Sequence, residues 1–376
     1  MKFITGIIYR NILKPILFLF PADSVHEWFL KIGGLMGQSK FDKYFIKKLW
    51  SYENPILEQN LIGLNFKNPI GLAAGFDYNA DLVEIIPNVG FGFSTIGTIT
   101  NEPYGGNPPP MLARLPKSRA LLVNKGFKND GISNVLKKLK TNKSTFLRGV
   151  SIGATNKPYP NFRAMVEDIV AGFKVAENFE NFDFYELNIS CPNLQNVENL
   201  DIQIDSPLGL SQLLRVLDVE HIKRPVFIKM PLERRLEDIK AIVDTILPFQ
   251  FIQGLVLSNL AKDRSNPSLH TEELNGLGRG NFSGKPVENT SNQVLEFVYK
   301  TYKKRFVLVG VGGVFTAEDA YKKIKLGASL VQLITGMIFM GPQQIGVINK
   351  ELANLLKKDG YKNISEAVGT NTNTSL

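Results

Sequence analysis

Eight short β-rich runs interleaved with helical patterns occupy the chain from residue 68 onward, and this alternation limits the fold more than any other feature. The runs lie at 68–75 (NPIGLAAG), 91–100 (FGFSTIGTIT), 147–155 (LRGVSIGAT), 184–190 (FYELNIS), 225–230 (PVFIKM), 254–259 (GLVLSN), 306–313 (FVLVGVGG) and 329–336 (SLVQLITG). Helical patterns between them include 162–178, 232–247, 289–304 and 317–326. Mostly apolar strands separated by helices read as parallel strands covered on both faces. Eight such units predict an α/β chain folded as a (β/α)8 TIM barrel, with an open doubly wound sheet as the alternative. Most runs end in Gly, Ser, Thr, Asn or Lys, and in such a barrel the active site lies at those C-terminal strand ends.

The first forty residues are different. The stretch 3–20, FITGIIYRNILKPILFLF, is apolar but interrupted by Arg10, Lys14 and Pro15, so it falls short of the ~20 apolar residues that span a bilayer. The same charges break the apolar region that a signal peptide would need. Two amphipathic helices are expected, near 3–19 and 23–36, the second capped by Asp23 or Ser24. The net charge is +9, and residues 1–50 hold eight Lys/Arg against three acids, so more than half of the excess sits there. Basic side chains interleaved with Ile, Leu and Phe suit an anionic membrane surface better than nucleic acid, which prefers clustered charge. A solvated basic face, or a helical cap packed on the barrel, is the plainer alternative. The expected organisation is an amphipathic helical extension over 1–40, a barrel over 41–367 and a disordered polar tail over 368–376.

With one cysteine, Cys191, the chain has no intrachain disulfide. A lone cysteine in an enzyme is a candidate nucleophile or base, although a small buried hydrophobe is the plainer role. Its surroundings, Asn188-Ile189-Ser190-Cys191-Pro192-Asn193, place two amides around a thiol at the end of the fourth strand. Asn259, after the sixth, adds a third amide. Three convergent amides suit a planar ligand rich in carbonyl and N–H groups, such as a pyrimidine. Gly310–Gly313 and Thr335-Gly336 end the last two strands, where barrels often bind phosphate through backbone N–H groups. Phe282–Pro286 (FSGKP) offers further donors. Lys229, at the end of an apolar strand, is placed to stabilise negative charge on a reduced flavin ring, unless it simply reaches solvent.

These motifs together resemble the dihydroorotate dehydrogenases, specifically their membrane-associated, quinone-reducing class. NPIGLAAGFD (68–77), GFSTIGTIT (92–100), GNPPP (106–110), LNISCPN (187–193), FIKM (227–230), FSGKP (282–286), VGVGG (309–313) and GASLVQL (327–333) stand in the family's order. The resemblance runs from about residue 22 to about residue 368. It implies bound FMN, oxidation of (S)-dihydroorotate to orotate in pyrimidine biosynthesis, and reoxidation by a membrane quinone. Cys191 would be the catalytic base that removes the C5 proton. Flavin contacts would fall at Ala74, Gly75, Thr98, Ser151, Asn188, Lys229, Ser258, Gly284, Gly313 and Thr335, with Tyr78 and Ile334 in the same set. Substrate contacts would fall at Asn188, Asn193 and Asn259 and in the segment Asn124, Lys125, Gly126 and Phe127. The resemblance also implies a peripheral membrane protein. The cytoplasmic face of a bacterial membrane is favoured over the mitochondrial inner membrane, and a monomer with no nucleic-acid partner is favoured.

The chain departs from that family's pattern at four places. Cys191 is the base usual in the soluble class, whereas the quinone class usually has Ser. A thiol with a reference pKa of about 8.5 needs only a modest downward shift to be thiolate near neutral pH, and that shift is the expectation. Tyr78 stands where the family usually has a lysine that touches substrate and flavin, Val123 where it has a substrate-binding Asn, and Leu260 in place of a Thr. Lys125 could restore the missing charge from another loop. The competing functions are a soluble-type dehydrogenase using fumarate or NAD, suggested by Cys191, and an FMN- and NADPH-dependent reductase resembling the tRNA dihydrouridine synthases.

Overall fold

A computed structural model describes residues 2–139, 145–194 and 200–372. Its centre is a closed parallel barrel of eight strands. These are β1 (Ile70–Leu72), β2 (Phe93–Thr100), β3 (Leu147–Gly153), β4 (Phe184–Asn188), β5 (Val226–Lys229), β6 (Ile252–Leu257), β7 (Val307–Val311) and β8 (Leu330–Leu333). Each pairs with the next, and β8 closes on β1 with Val331 opposite Ile70. All eight expected runs become barrel strands, and the open sheet is excluded.

The barrel floor explains why the sequence alternates Gly with Phe. A Cβ at Gly149 would lie 2.2 Å from the Phe184 ring, so the aromatic ring occupies the space that a side chain on the neighbouring strand gives up. Phe66, Phe93, Phe184 and Phe227 form one buried cluster in this way. Phe66 arrives on a short hairpin, Gln59–Leu61 with Leu64–Phe66, that plugs the bottom. Burying each ring contributes roughly 1.5–3 kcal/mol, so the floor is rigid and the open end is left for chemistry.

The outer helices start where capping residues dictate. Asn161 caps Phe162–Glu177, Ser206 caps Pro207–Val219, and Thr316 with Asp319 forms a capping box on Ala317–Lys325. Over the barrel mouth lies a three-stranded antiparallel sheet of Leu112–Leu115, Ala120–Val123 and Asn281–Gly284. It forms from residues distant in sequence, which is why no local pattern announces it.

The N-terminal segment is helical, with three differences from expectation. Its first helix is broken into α1 (Lys2–Ile8), a π turn (Tyr9–Leu13) and α2 (Lys14–Phe18). Pro15 has no N–H to continue the regular ladder, so the turn before it widens. The second helix, α3 (Ala22–Gln38), starts after Pro21 with no side-chain cap. Asp23 is not the cap. It instead accepts the backbone N–H groups of Met111 and Leu112 at 3.0 and 3.1 Å and pairs with Lys125 at 3.2 Å. The helical part then continues through α4 (Lys40–Trp50), capped by Ser39, ten residues past the expected boundary at 40. At the other end, Thr370–Thr372 forms a 3-10 turn and the Gly369 N–H bonds Ile324 O at 3.0 Å, so the expected disorder from 368 does not hold at these positions. Residues 373–376 of that tail lie outside the described residues. No described helix is long and apolar enough to cross a membrane.

Candidate active site

The C-terminal ends of the strands and the three-stranded sheet enclose a cavity of about 1190 Å³, open solvent at its mouth included. Its wall brings together Ala74, Gly75 and Tyr78 after β1, Thr98 from β2, Asn188, Cys191 and Asn193 after β4, Lys229 from β5, and Ser258 and Asn259 after β6. Lys125, Gly126 and Phe127 enter from the loop after Ala120–Val123, Gly284 from the roof, and Gly313, Ile334 and Thr335 from the β7 and β8 ends. Two expected residues are elsewhere. Ser151 lies below the wall, where its Oγ donates to Glu186 Oε1 at 2.7 Å. Asn124 accepts from Asn107 Nδ2 at 2.9 Å and does not line the cavity.

The two ends of the cavity differ in chemistry. At one end Gly312 and Gly313 take φ values of +101° and +72°, which a side chain would strain. They pack against Val287 and Glu288, and Ser283 Oγ contacts Thr335 Oγ1 at 2.8 Å. Hydroxyls and backbone at a glycine turn suit a phosphate. The other end is amide-rich. Asn259 Nδ2 donates to Ser190 Oγ at 2.9 Å, and Asn281 Nδ2 donates to Asn193 Oδ1 at 2.6 Å. Between the ends, Ser258 Oγ is buried with no partner. A Cβ on Gly75 would meet only Ile334 Cδ1, at 3.6 Å, and would otherwise fill cavity space. An orphaned hydroxyl, a side-chain-free wall and a buried lysine together fit a flavin mononucleotide.

The electrostatics correct one expectation. Burial pushes the Cys191 thiol up to about 11, although the Asn193 backbone N–H and the charges of Lys229 and Lys262 act in the opposite direction. Burial therefore favours the thiol over the thiolate that the sequence suggested, because it outweighs the two lysines. Burial also raises the Tyr78 phenol well above its usual value. Burial lowers Lys125, opposed by the Asp23 carboxylate beside it.

Sequence reading missed a second cavity. It encloses about 1130 Å³, open solvent at its mouth included, and lies under α2, α3 and α4, lined almost wholly by apolar side chains such as Val25, Phe29, Met36, Ile46 and Trp50. Its polar groups are few. Tyr9 Oη donates to Ile338 O at 2.7 Å, and the Arg114 guanidinium donates to Phe20 O at 2.8 Å. His26, Phe76, Leu112, Leu121 and Ile338 line both cavities. His26 Nε2 is 2.8 Å from Phe76 O, and its other ring nitrogen is buried with no partner. Burial, then the nearby Lys125 charge, lowers His26 to about 4, so the ring is neutral at physiological pH. The only available signal for this cavity was the helical apolar pattern of residues 1–50.

Comparisons with known proteins agree with this geometry. The family model for dihydroorotate dehydrogenase matches residues 56–356. A dihydroorotate dehydrogenase (quinone) from Trichodesmium erythraeum is 36% identical, over 96% of this chain and 98% of its own length. One from Christiangramia forsetii is 34% identical, over 92% and 98%. The crystal structure of an Eimeria tenella DHODH in complex with ferulenol superposes with a TM-score of 0.81 at 26% identity, covering 93% of this chain and 96% of that one.

Proposed function

The chain belongs to the dihydroorotate dehydrogenase family, and on that premise we propose that it oxidises (S)-dihydroorotate to orotate with FMN and delivers the electrons to a membrane quinone, as a step of pyrimidine biosynthesis. One observation carries this reading. A cavity lined by amides and Lys229 that fits a flavin and a pyrimidine shares five wall residues with an apolar cavity that fits a quinone.

FMN, when bound, supplies a two-electron acceptor for hydride. Ser258, Lys229, Thr335 and the glycines at 284 and 313 would hold it. The chain's own residues do the rest. Lys125, largely buried and over the Tyr78 ring, supplies the cation for the substrate carboxylate. Asn188, Asn193 and Asn259 bind the pyrimidine amides. Cys191 Sγ takes the C5 proton, and its raised pKa makes it a strong base once ionised. The roof strands keep water from the reacting face. Cys191 favours a soluble-type enzyme, but it bears on the base and not on the electron acceptor. The apolar cavity bears on the acceptor.

The helical extension, through Trp50 rather than residue 40, serves as the membrane-docking element. Ile12, Leu19, Leu35 and Phe41 are exposed on it, and basic residues lie among them. A direct test loads the protein with FMN and adds dihydroorotate without oxygen. Loss of the oxidised-flavin colour supports the reading, and an unchanged spectrum defeats it.

A further inference from the structure

A carboxylate lies in the barrel interior one layer below the cavity. Glu186, two residues before Asn188 on β4 and therefore on the same face, is wholly buried. Its Oε1 accepts the Ser151 hydroxyl at 2.7 Å and lies 3.8 Å from Lys229 Nζ, while Oε2 has no partner. Burying a charge that is only half satisfied is costly, so its retention needs a reason.

The reason lies in the direction of the bonds above it. Ser151 has one proton and gives it to Glu186. Thr98 Oγ1, 2.9 Å from Ser151 Oγ, must then be the donor in that contact. Thr98 can therefore only accept from Asn188, whose Nδ2 is 2.9 Å away. With Nδ2 committed downward, Asn188 Oδ1 faces the Ser190 N–H at 3.3 Å and Asn259 Nδ2 at 3.5 Å, at the amide-rich end of the cavity. A carboxylate accepts and never donates, so it sets the polarity of the whole chain up to Asn188. The same carboxylate balances the charge of Lys229.

We propose that Glu186 is the positioning residue of this site: it fixes the amide orientation of Asn188 through Ser151 and Thr98, and it sets how much of the Lys229 charge a flavin above it feels. The inference rests on the flavin reading above. Its two new members, Glu186 and Ser151, do not themselves line the cavity.

The test uses the flavin-loaded protein and two readouts, the reduced-to-oxidised flavin ratio at fixed potential and the affinity for orotate. Glu186→Gln keeps the shape but loses the charge and can donate as well as accept. It should move the ratio at least tenfold toward reduced flavin, about 30 mV for a two-electron couple, and weaken orotate at least tenfold. Glu186→Asp keeps the charge and should stay within threefold of wild type in the flavin ratio. Ser151→Ala cuts the chain and spares the ion pair, so orotate should weaken at least tenfold while the flavin ratio stays within threefold. That variant also serves if Glu186→Gln does not fold. Flavin-loaded variants that match wild type in both readouts, or a Gln variant that shifts toward oxidised flavin, overturn the role of Glu186. A wild-type chain that takes up no flavin defeats the flavin reading, and this inference with it.

Discussion

The Lys125 ammonium stands 5.1 Å from the centroid of the Tyr78 ring and 3.2 Å from Asp23 Oδ1. Tyr78 stands where the resemblance leads one to expect a lysine, and the Lys125 ammonium reaches its ring from a different loop. A cation over an aromatic face is held by the ring quadrupole, and Asp23 ties it to α3. Replacing Lys125 with Met should weaken orotate binding roughly 10- to 100-fold, the range for a lost charge-assisted hydrogen bond, while flavin remains bound. Adding Tyr78→Lys to that variant should recover most of the loss. An orotate titration followed by the flavin spectrum measures both, and a Met variant with wild-type affinity would remove Lys125 from the carboxylate site.

Cys191 makes a pH prediction with a definite sign. The reactive form is the thiolate, and burial holds the thiol at about 11. The rate of flavin reduction by dihydroorotate should therefore climb about tenfold per pH unit from neutrality, with no plateau below about pH 10. Cys191→Ser, with its higher intrinsic pKa, should be slower throughout, and Cys191→Ala should be slower still. Stopped-flow flavin reduction across pH decides the matter, and a plateau near neutrality would show that the loaded site lowers the thiol after all.

The eight strands were legible because each is a local apolar run that a parallel barrel buries on both faces. The cavity residues were legible because strand ends converge whatever the loop lengths. What could not be read depends on partners distant in sequence. Asp23 looks like a helix cap, but its carboxylate is taken by backbone donors about ninety residues away. The roof sheet pairs Ala120–Val123 with Asn281–Gly284, a register that no local pattern encodes. Asn124 sits beside cavity residues in sequence, yet it turns to Asn107. The Cys191 shift has the opposite sign to the expected one because burial depends on how the loop packs, not on residue type.

His26 links stability to pH. Its folded pKa is about 4, against about 6.5 unfolded, because burial disfavours the charged ring. The stability it contributes is complete above about pH 6.5 and is lost as pH falls toward 4, on the order of 3 kcal/mol at most. Asp77, raised by burial to about 6, acts in the opposite sense, since its contribution is lost as pH rises from about 4 to 6. The two partly cancel in the wild-type curve. Denaturant unfolding of wild type and His26→Asn should therefore converge as pH drops from 7 to 4. A constant difference between them across that range would contradict a neutral buried ring.

Leu19 and Phe41 are 83% and 71% exposed on the helical extension. Changing both to Ser should leave flavin reduction by dihydroorotate untouched and weaken binding to anionic vesicles at least tenfold, because each apolar side chain contributes roughly 1.5–3 kcal/mol when it enters lipid. Vesicle cosedimentation measures this. Equal binding by both proteins would place the membrane contact elsewhere.

The two cavities meet at five shared wall residues, and anaerobic mixing in two steps tests most directly whether electrons pass between them. Dihydroorotate added to the FMN-loaded protein should abolish the oxidised-flavin absorbance in proportion to enzyme, and a soluble quinone analogue added next should restore it. A flavin that dihydroorotate does not reduce, or a reduced flavin that fumarate or NAD reoxidises and quinone does not, would contradict the account.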